Sequence, residues 1–485
     1  MKIKYLSTDD KHRLHLLRHA EDPDRMAELL EEALLHSYTL QSLWVYRKWF
    51  LALTDEQLRD RPTLVCGVVL TLVMQGNFDQ ARELAETLPK EGLHYPFLQL
   101  MMPDVSREEL LETVRTIKEK GWKSRANIIL TAGRPSVLNG FWDLTPYGGK
   151  LSERQDTALE LLESLFGEQA HSIYEVMNAE VTYWRDDCYT ALVQVVGIIP
   201  FLRERQDMRL LFAALTLEMY IMVLNGQATV TAPLINNLRQ QLKHNHLEEY
   251  LPNIDALDAW SAMYDGDYVR VAHWLREGAP DEYGKFCMLD VFRYMVKMRA
   301  YIIGGKYLAV TALAARLMPL LEIGRRYMDM CELHLLWGIS DHAAGREADA
   351  LEHIGEAVRL SETYGYDRLF ADEGKRAHDL LLLYRKQQGK TPYLDRVIAL
   401  ADKTAALHPR YLKDQLPEKP ALTEAEMRIL RLLADCKTNG EIAEEVNIAV
   451  DTAKQHCKHI FAKLEVKNRQ QAVRRAVEFG LLEPV

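Results

Sequence analysis

The residues best suited to chemistry lie near the carboxy terminus, in "DTAKQHCKHIFAKLEVKNRQQAVRR", residues 451–475. Over 452–475 seven bases (Lys454, Lys458, Lys463, Lys467, Arg469, Arg474 and Arg475) stand against one acid, Glu465, in a chain whose formal net charge is -10. Positive charge gathered on an acidic protein points to a polyanionic partner. Ala453, Cys457, Ile460, Phe461 and Leu464 recur at helical spacing and make one apolar stripe, while Lys454, Gln455 and Lys458 project from the other side. A helix held by that stripe can place its polar side in the major groove, where lysines reach guanine edges or phosphates and a glutamine pairs with adenine. Thr438 and Thr452, at the starts of two successive helices, offer hydroxyl and backbone N–H groups to phosphates, and Lys463 and Arg469 add further phosphate contacts. The partner implied is double-stranded DNA.

Other chemistries fit less well. His456, Cys457 and His459 share one short helix without a fourth ligand, so no metal is expected there. "YRKQQGKT" approaches a phosphate-binding loop, but Tyr384 stands in place of its first glycine and the stretch follows a helix rather than a strand. No nucleophile has a local base. The sequence therefore predicts neither an enzyme nor a cofactor, and it shows no alternation of strands and helices of the kind a phosphoacceptor domain needs. Six cysteines are scattered without a Cys-x-x-Cys pair, as in reduced cytosolic proteins. The apolar runs are broken early, by Gln194 and Pro200 in "ALVQVVGIIPFL" and by Glu218 in "LLFAALTLEMYIMVL". With a polar start and no secretory signal, the expected location is the cytoplasm, with no membrane contact.

The elements that must position the basic helix are short. "TEAEMRILRLLAD" opens on Thr423 with Glu426 three residues on, a capping box, and aligns Ile429, Leu432 and Leu433 on one face. "TNGEIAEEV", capped by Thr438 or Asn439, packs through Ile442, Ala443 and Val446. Asn447 and Ile448 make the turn, and the basic helix starts near Val450. Upstream, Pro409, Pro417 and Pro420 bar a continuous helix and mark residues 406–420 as a linker. Before it, glycines at 226, 266, 305 and 345 recur every 39 or 40 residues between stretches of helical periodicity. Each unit reads as two helices closed by a left-handed glycine, and such pairs bury their apolar faces only by stacking into a solenoid. "RPTLVCGVVLTLVMQGNFDQARELAETL" follows the same grammar around Gly76. The expected architecture is all-α: a helical-repeat solenoid over residues 1–405, then a four-helix unit over 421–485. One stretch, 132–150, breaks the rhythm with glycines, Pro135 and Pro146; its aromatics argue for an ordered loop that braces the array or touches a ligand.

Residues 422–482 resemble the LuxR-type helix-turn-helix, through Leu422-Thr423, Asn439-x-Glu441-Ile442-Ala443, Thr452-x-Lys454-x-His456, Lys463-Leu464-x-Val466 and Asn468-Arg469-x-x-Ala472. That resemblance implies that Lys454, Gln455 and Lys458 face bases and that the last helix makes a dimer contact through Ala472, Val473 and Ala476. Cys436 and Glu465 stand where the family has helix-ending glycines, each a cost of about 1 kcal/mol if the backbone stays left-handed. Ala449 replaces the usual serine cap, another ~1 kcal/mol that Asn447 or Asp451 partly offsets, and Ala453 stands where valine is usual.

The rest of the chain is similar to the tetratricopeptide-like solenoid of MalT-like regulators, in "WFLALTDEQLRDRPTL" with "GNFDQA", "DAWSAMYDGDYVRVAHWL" and "GYDRLFADEG", without the amino-terminal ATPase module of the large members. Together the resemblances imply a transcriptional activator that binds its operator as a homodimer and works with RNA polymerase. Its solenoid would sense a small-molecule effector, for which Trp142, Tyr183, Trp184, Trp260, Trp274, Tyr294, Tyr301 and Trp337 are available to stack, unless they serve in the core. The alternative is a DNA-bound scaffold whose solenoid docks a protein partner.

Overall fold

The structure, a computed structural model, describes residues 5–20, 22–35, 38–122, 126–127, 131, 133–149, 155–409, 411–412, 420–464, 466–479 and 481–482. The protein is all-α. Apart from a two-residue parallel pairing of Tyr38–Thr39 with Ala126–Asn127, the regular structure among the described residues is helical.

At the amino end, α1 (Thr8–His19), α2 (Pro23–Leu35) and α3 (Leu40–Phe50) precede the pair α4 (Pro62–Met74) and α5 (Phe78–Ala85). Pro62 starts α4, where its missing N–H costs nothing, and Gly76 turns the chain at φ +76°. Next comes α6 (Arg107–Lys120), between a Ser106–Glu109 capping box and left-handed Gly121. The array then runs through α7 (Gln155–Phe166), α8 (Ala170–Trp184), α9 (Cys188–Glu204), α10 (Met208–Met222), α11 (Ala228–His244), α12 (Leu251–Asp265) and α13 (Tyr268–Glu277). It continues through α14 (Val291–Ile303), α15 (Tyr307–Ile323), α16 (Tyr327–Ala343), α17 (Glu347–Tyr364), the short α18 (Asp367–Asp372), α19 (Gly374–Gln388) and α20 (Pro392–Leu407). Most successive helices pack on each other, and α12, α14 and α16 also pack in turn.

All four repeat glycines sit between paired helices with φ of +82°, +74°, +66° and +78° at 226, 266, 305 and 345. The intervening turns use residues that carry no such mark: Asp186, Gln206, His246 and Arg325 also have positive φ. After the first two of these turns an aspartate caps the next helix: Asp187 accepts from the Thr190 N–H at 3.1 Å and Asp207 from that of Leu210 at 3.2 Å. Gly226 also settles the one apolar stretch, 208–244, that among the described residues is long enough by composition to cross a membrane. The chain bends there between helices of 15 and 17 residues, each short of the ~20 a span needs.

The array curls until its parts meet: α8 touches α18, and α20 packs on residues 223–227. Residues 133–149 fill the interior, where a solenoid would otherwise offer an open concave surface. Arg134 from this stretch pairs with Asp329 (2.8 Å) and Glu332 of α16, and Asn139 Nδ2 donates to Asp329 at 3.2 Å. Arg326 reaches back in turn, donating to the carbonyl of Phe141 at 2.6 Å. On the other side the Glu180 carboxylate of α8 accepts from Ser136 Oγ (2.9 Å) and from the N–H groups of Val137 (3.0 Å) and Leu138 (2.7 Å). These contacts brace the array through residues 133–149.

Every residue of α14 is buried, including Arg293, Lys297 and Arg299, so each cation must be matched. Arg293 pairs with Asp290, Lys297 with Glu282 at 3.1 Å, and Arg299 with Glu332 (2.8 Å) and Glu373. Breaking one such buried pair costs about 3–5 kcal/mol, because the partner charge is stranded. The aromatic side chains considered for an effector are not gathered on an open face. Tyr183, Trp260, Trp274, Tyr294 and Tyr301 are buried, and Trp142, Trp184 and Trp337 pack half-buried against the same cores.

Candidate nucleic-acid interface

Among the described residues after Pro420 there are four helices: α21 (Glu424–Ala434), α22 (Asn439–Val446), α23 (Val450–Lys463) and α24 (Arg469–Glu478). Of residues 406–420, expected to form a linker, 410 and 413–419 lie outside the described part.

Two capping boxes set the frame. Thr423 N donates to Glu426 Oε2 at 2.8 Å while Glu426 N donates to Thr423 Oγ1 at 3.2 Å, and Thr438 and Glu441 repeat the exchange at 2.6 and 3.3 Å. Thr438, not Asn439, is thus the cap of α22. Asn447 ends α22 in the left-handed region at φ +57°, and the Ile448 N–H then reaches the Ala443 carbonyl at 2.9 Å. That tight turn fixes the angle between α22 and α23. Between them Ile429, Leu430, Leu433, Ile442, Ala443, Ala453, Cys457, Ile460 and Leu464 form a closed core.

The stripe on α23 is buried as its spacing predicts, apart from Phe461, which is half-buried. Thr452, Lys454, Gln455 and Lys458 are exposed on the other side. Lys454 makes one weak local contact, to Asp451 at 3.0 Å, with both side chains open to water. Gln455 and Lys458 have no polar partner among the described residues. All three stay open to water.

The outer cations, expected to add phosphate contacts, also make bonds within the domain. Lys463 Nζ donates to Glu426 Oε2 (2.7 Å) and to the Ala421 carbonyl (3.1 Å), tying α23 to the start of α21. Burial opposes ionisation of Glu426, yet the Lys463 and Thr423 bonds outweigh it and hold the carboxyl below its usual range. Arg469 donates to the Lys437 carbonyl and to Asn439 Oδ1 at 3.3 Å. Asn439 Oδ1 also takes the Cys457 thiol at 3.7 Å, so this one amide joins α22, α23 and α24. In the sequence Asn439 appears as a possible cap and in the Asn-x-Glu-Ile-Ala phrase, neither of which shows that it joins three helices.

The residues expected at a dimer contact are also committed. Ala472 and Ala476 are fully buried in the domain core and Val473 is half-buried. Helix α24 packs on α21, α23 and, across the domains, α13, whose Val269 joins the same cluster. Nothing in the sequence pointed to Val269.

The departures noted in the sequence appear as backbone facts. Cys436 takes φ +58°, the conformation a glycine favours, and Ala449 caps α23 without any side-chain bond. Asn447 is used as the end of α22, which leaves only the Asp451 charge in the first turn of α23 to compensate. Glu465 lies outside the described residues. The six cysteines are unpaired, and no group of three or more metal-binding side chains occurs among the described residues. Residues 420–476 match the family described as bacterial regulatory proteins, luxR family (GerE), and the carboxy-terminal unit is a LuxR-type helix-turn-helix, the DNA-binding domain of a transcription regulator.

Proposed function

We propose that the protein is a sequence-specific transcriptional regulator, an activator that recruits or contacts RNA polymerase, in which residues 1–405 sense a small molecule, 406–420 link, and 421–485 bind the operator as a dimer. One observation carries the reading: α23 buries its apolar stripe and leaves Lys454, Gln455 and Lys458 exposed. Thr438 and Thr452, both exposed at helix starts, serve the flanking phosphates. Control of the domain by the upstream helices is supported by the packing of α13 against α24, with Val269 joining the core of the carboxy-terminal unit. Release of α24 then accompanies dimerisation on DNA.

A second reading, a scaffold that docks a protein, is favoured by α9, where Tyr189, Val193 and Val196 form an exposed stripe at i, i+4 and i+7. The test is selection of bound fragments from random duplex DNA by the full-length protein, followed by anisotropy titration of the winner across salt. A common motif bound in two symmetric half-sites supports the proposal. Enrichment of no motif, or binding without salt dependence, refutes it.

A further inference from the structure

Where the amino-terminal helices meet the middle of the array, a cavity of about 320 Å³ opens, close to the lower limit for small-ligand sites. It lies on a seam: Tyr5 reaches across 250 residues to donate to Asp255 at 2.7 Å. Asp10, on one wall, is already committed, accepting from Tyr46 Oη (2.5 Å), Ser42 Oγ (3.0 Å) and Ser7 Oγ (2.8 Å), and so locks α1 to α3. Four other charged groups line the same space, two of each sign: Arg13 and Arg209, Asp9 and Glu249. The first turn of α3 also lines it through Gln41 and Ser42, at the positive end of the helix, with the Ser42 N–H taken by Thr39 Oγ1 at 3.1 Å. Neither Asp9 nor Glu249 forms an ion pair among the described residues. Burial pushes the Glu249 carboxyl up to about 7, against the pull of Arg209, so an added cation at this point would be welcome.

We propose that this cavity binds a small zwitterion of amino-acid size, its carboxylate met by Arg13, Arg209 and the first turn of α3 and its ammonium by Glu249 and Asp9. The idea rests on the reading of the helical domain as a sensor. It also has a route inward, since Tyr250, next to Glu249, shares a hydrogen bond of 3.2 Å with Thr131, just before the stretch that fills the interior.

The experiment is a thermal-shift screen of the full-length protein against the common free α-amino acids, with the matching N-acetyl acids and amino-acid amides, each lacking one charge. At least one free amino acid should raise the melting temperature by roughly 3 °C at about a hundredfold excess over its Kd, and its singly charged relatives should not. Glu249→Gln should abolish that shift. Asp9→Asn, on the exposed side of α1, should weaken it at least threefold in apparent Kd. No shift with any amino acid, an equal shift with an N-acetyl acid, or a shift untouched in both variants would overturn the proposal. Duplex binding by the wild-type protein, measured on the same preparation, reports on the regulator reading separately.

Discussion

Tyr411, at the entry to the linker, lies flat on Tyr264, with ring centroids 3.9 Å apart and planes 9° from parallel, and its hydroxyl donates to Glu373 Oε2 at 2.9 Å. Glu373 is the carboxylate that Arg299 also holds, at 2.8 Å from its Nε, and three residues on Arg376 clasps the Leu412 carbonyl at 2.6 Å. The segment leading to the DNA-binding domain is thus fastened to the buried ionic network that also grips residues 133–149.

Tyr411→Phe keeps the stacked ring and removes only the donor, leaving a buried carboxylate short of a partner. We expect a loss of about 1.5–3 kcal/mol, against about 3–5 kcal/mol for Tyr411→Ala, which also empties the ring's space. Urea titration of the full chain measures both. Equal midpoints for the two variants and wild type would show that the tether is not held as described.

Lys454→Ala should leave folding untouched, since among the described residues the Lys454 ammonium pairs only with the exposed Asp451 carboxylate. Operator binding should weaken by about 1–3 kcal/mol, with relaxed preference at one base pair. Circular dichroism and anisotropy on matched and mismatched duplexes separate the two effects, and an unchanged affinity would displace Lys454 from the groove.

The division between what was legible and what was not follows from which residues announce their role. Glycines at 226, 266, 305 and 345 mark their turns because only glycine takes a left-handed backbone freely, and all four have it. Asp186, Gln206, His246 and Arg325 make the same turns at a cost set by tertiary packing, and composition gives no hint of that. The capping boxes and the split faces of α23 were legible because their partners lie within four residues. Arg299, Glu332 and Glu373 were not, because a charged residue reads as solvated until a partner 33 or 74 positions away is in place. For the same reason the loop at 133–149 could be seen as a break but not as the filling of the interior.

Glu180 gives a pH test. Its carboxyl is buried, and burial pushes it up to about 7 from an ordinary 4.5, although Ser136 and two backbone N–H groups pull the other way. The folded state then binds a proton that the unfolded state has released, so this group's contribution is complete below about pH 4.5 and fades as pH rises to about 7. Glu180→Gln cannot titrate and, though less stable throughout, should show a flatter stability profile across that window. A profile parallel to wild type in urea melts at successive pH values would remove Glu180 as the cause.

Arg469→Ala should behave as a folding mutation more than as a DNA-contact mutation. Its guanidinium bonds to the Lys437 carbonyl and Asn439 Oδ1 hold α24 to the start of α22, and hydrogen bonds from a charged donor contribute about 1.5–3 kcal/mol. The slope of log affinity against log salt should flatten by less than the ~0.9 unit of a full phosphate contact. An unchanged melting transition of the full chain, joined to a full-unit change in slope, would return Arg469 to the phosphate-facing set.

Cys436 offers the converse, a substitution expected to stabilise. Its backbone sits at φ +58°, where a side chain costs about 1 kcal/mol relative to glycine, and its exposed thiol makes one long contact, 3.8 Å to the Ala434 carbonyl. Cys436→Gly should therefore raise stability by about 0.5–1 kcal/mol, less than the full strain because glycine also frees the unfolded chain. Gly345→Ala is the control: φ is +78° there and nothing lies within 4 Å of an added Cβ, so the loss of about 1 kcal/mol is purely conformational. If Cys436→Gly destabilises while Gly345→Ala behaves as expected, the side chain of Cys436 contributes more to the α21–α22 turn than its geometry accounts for.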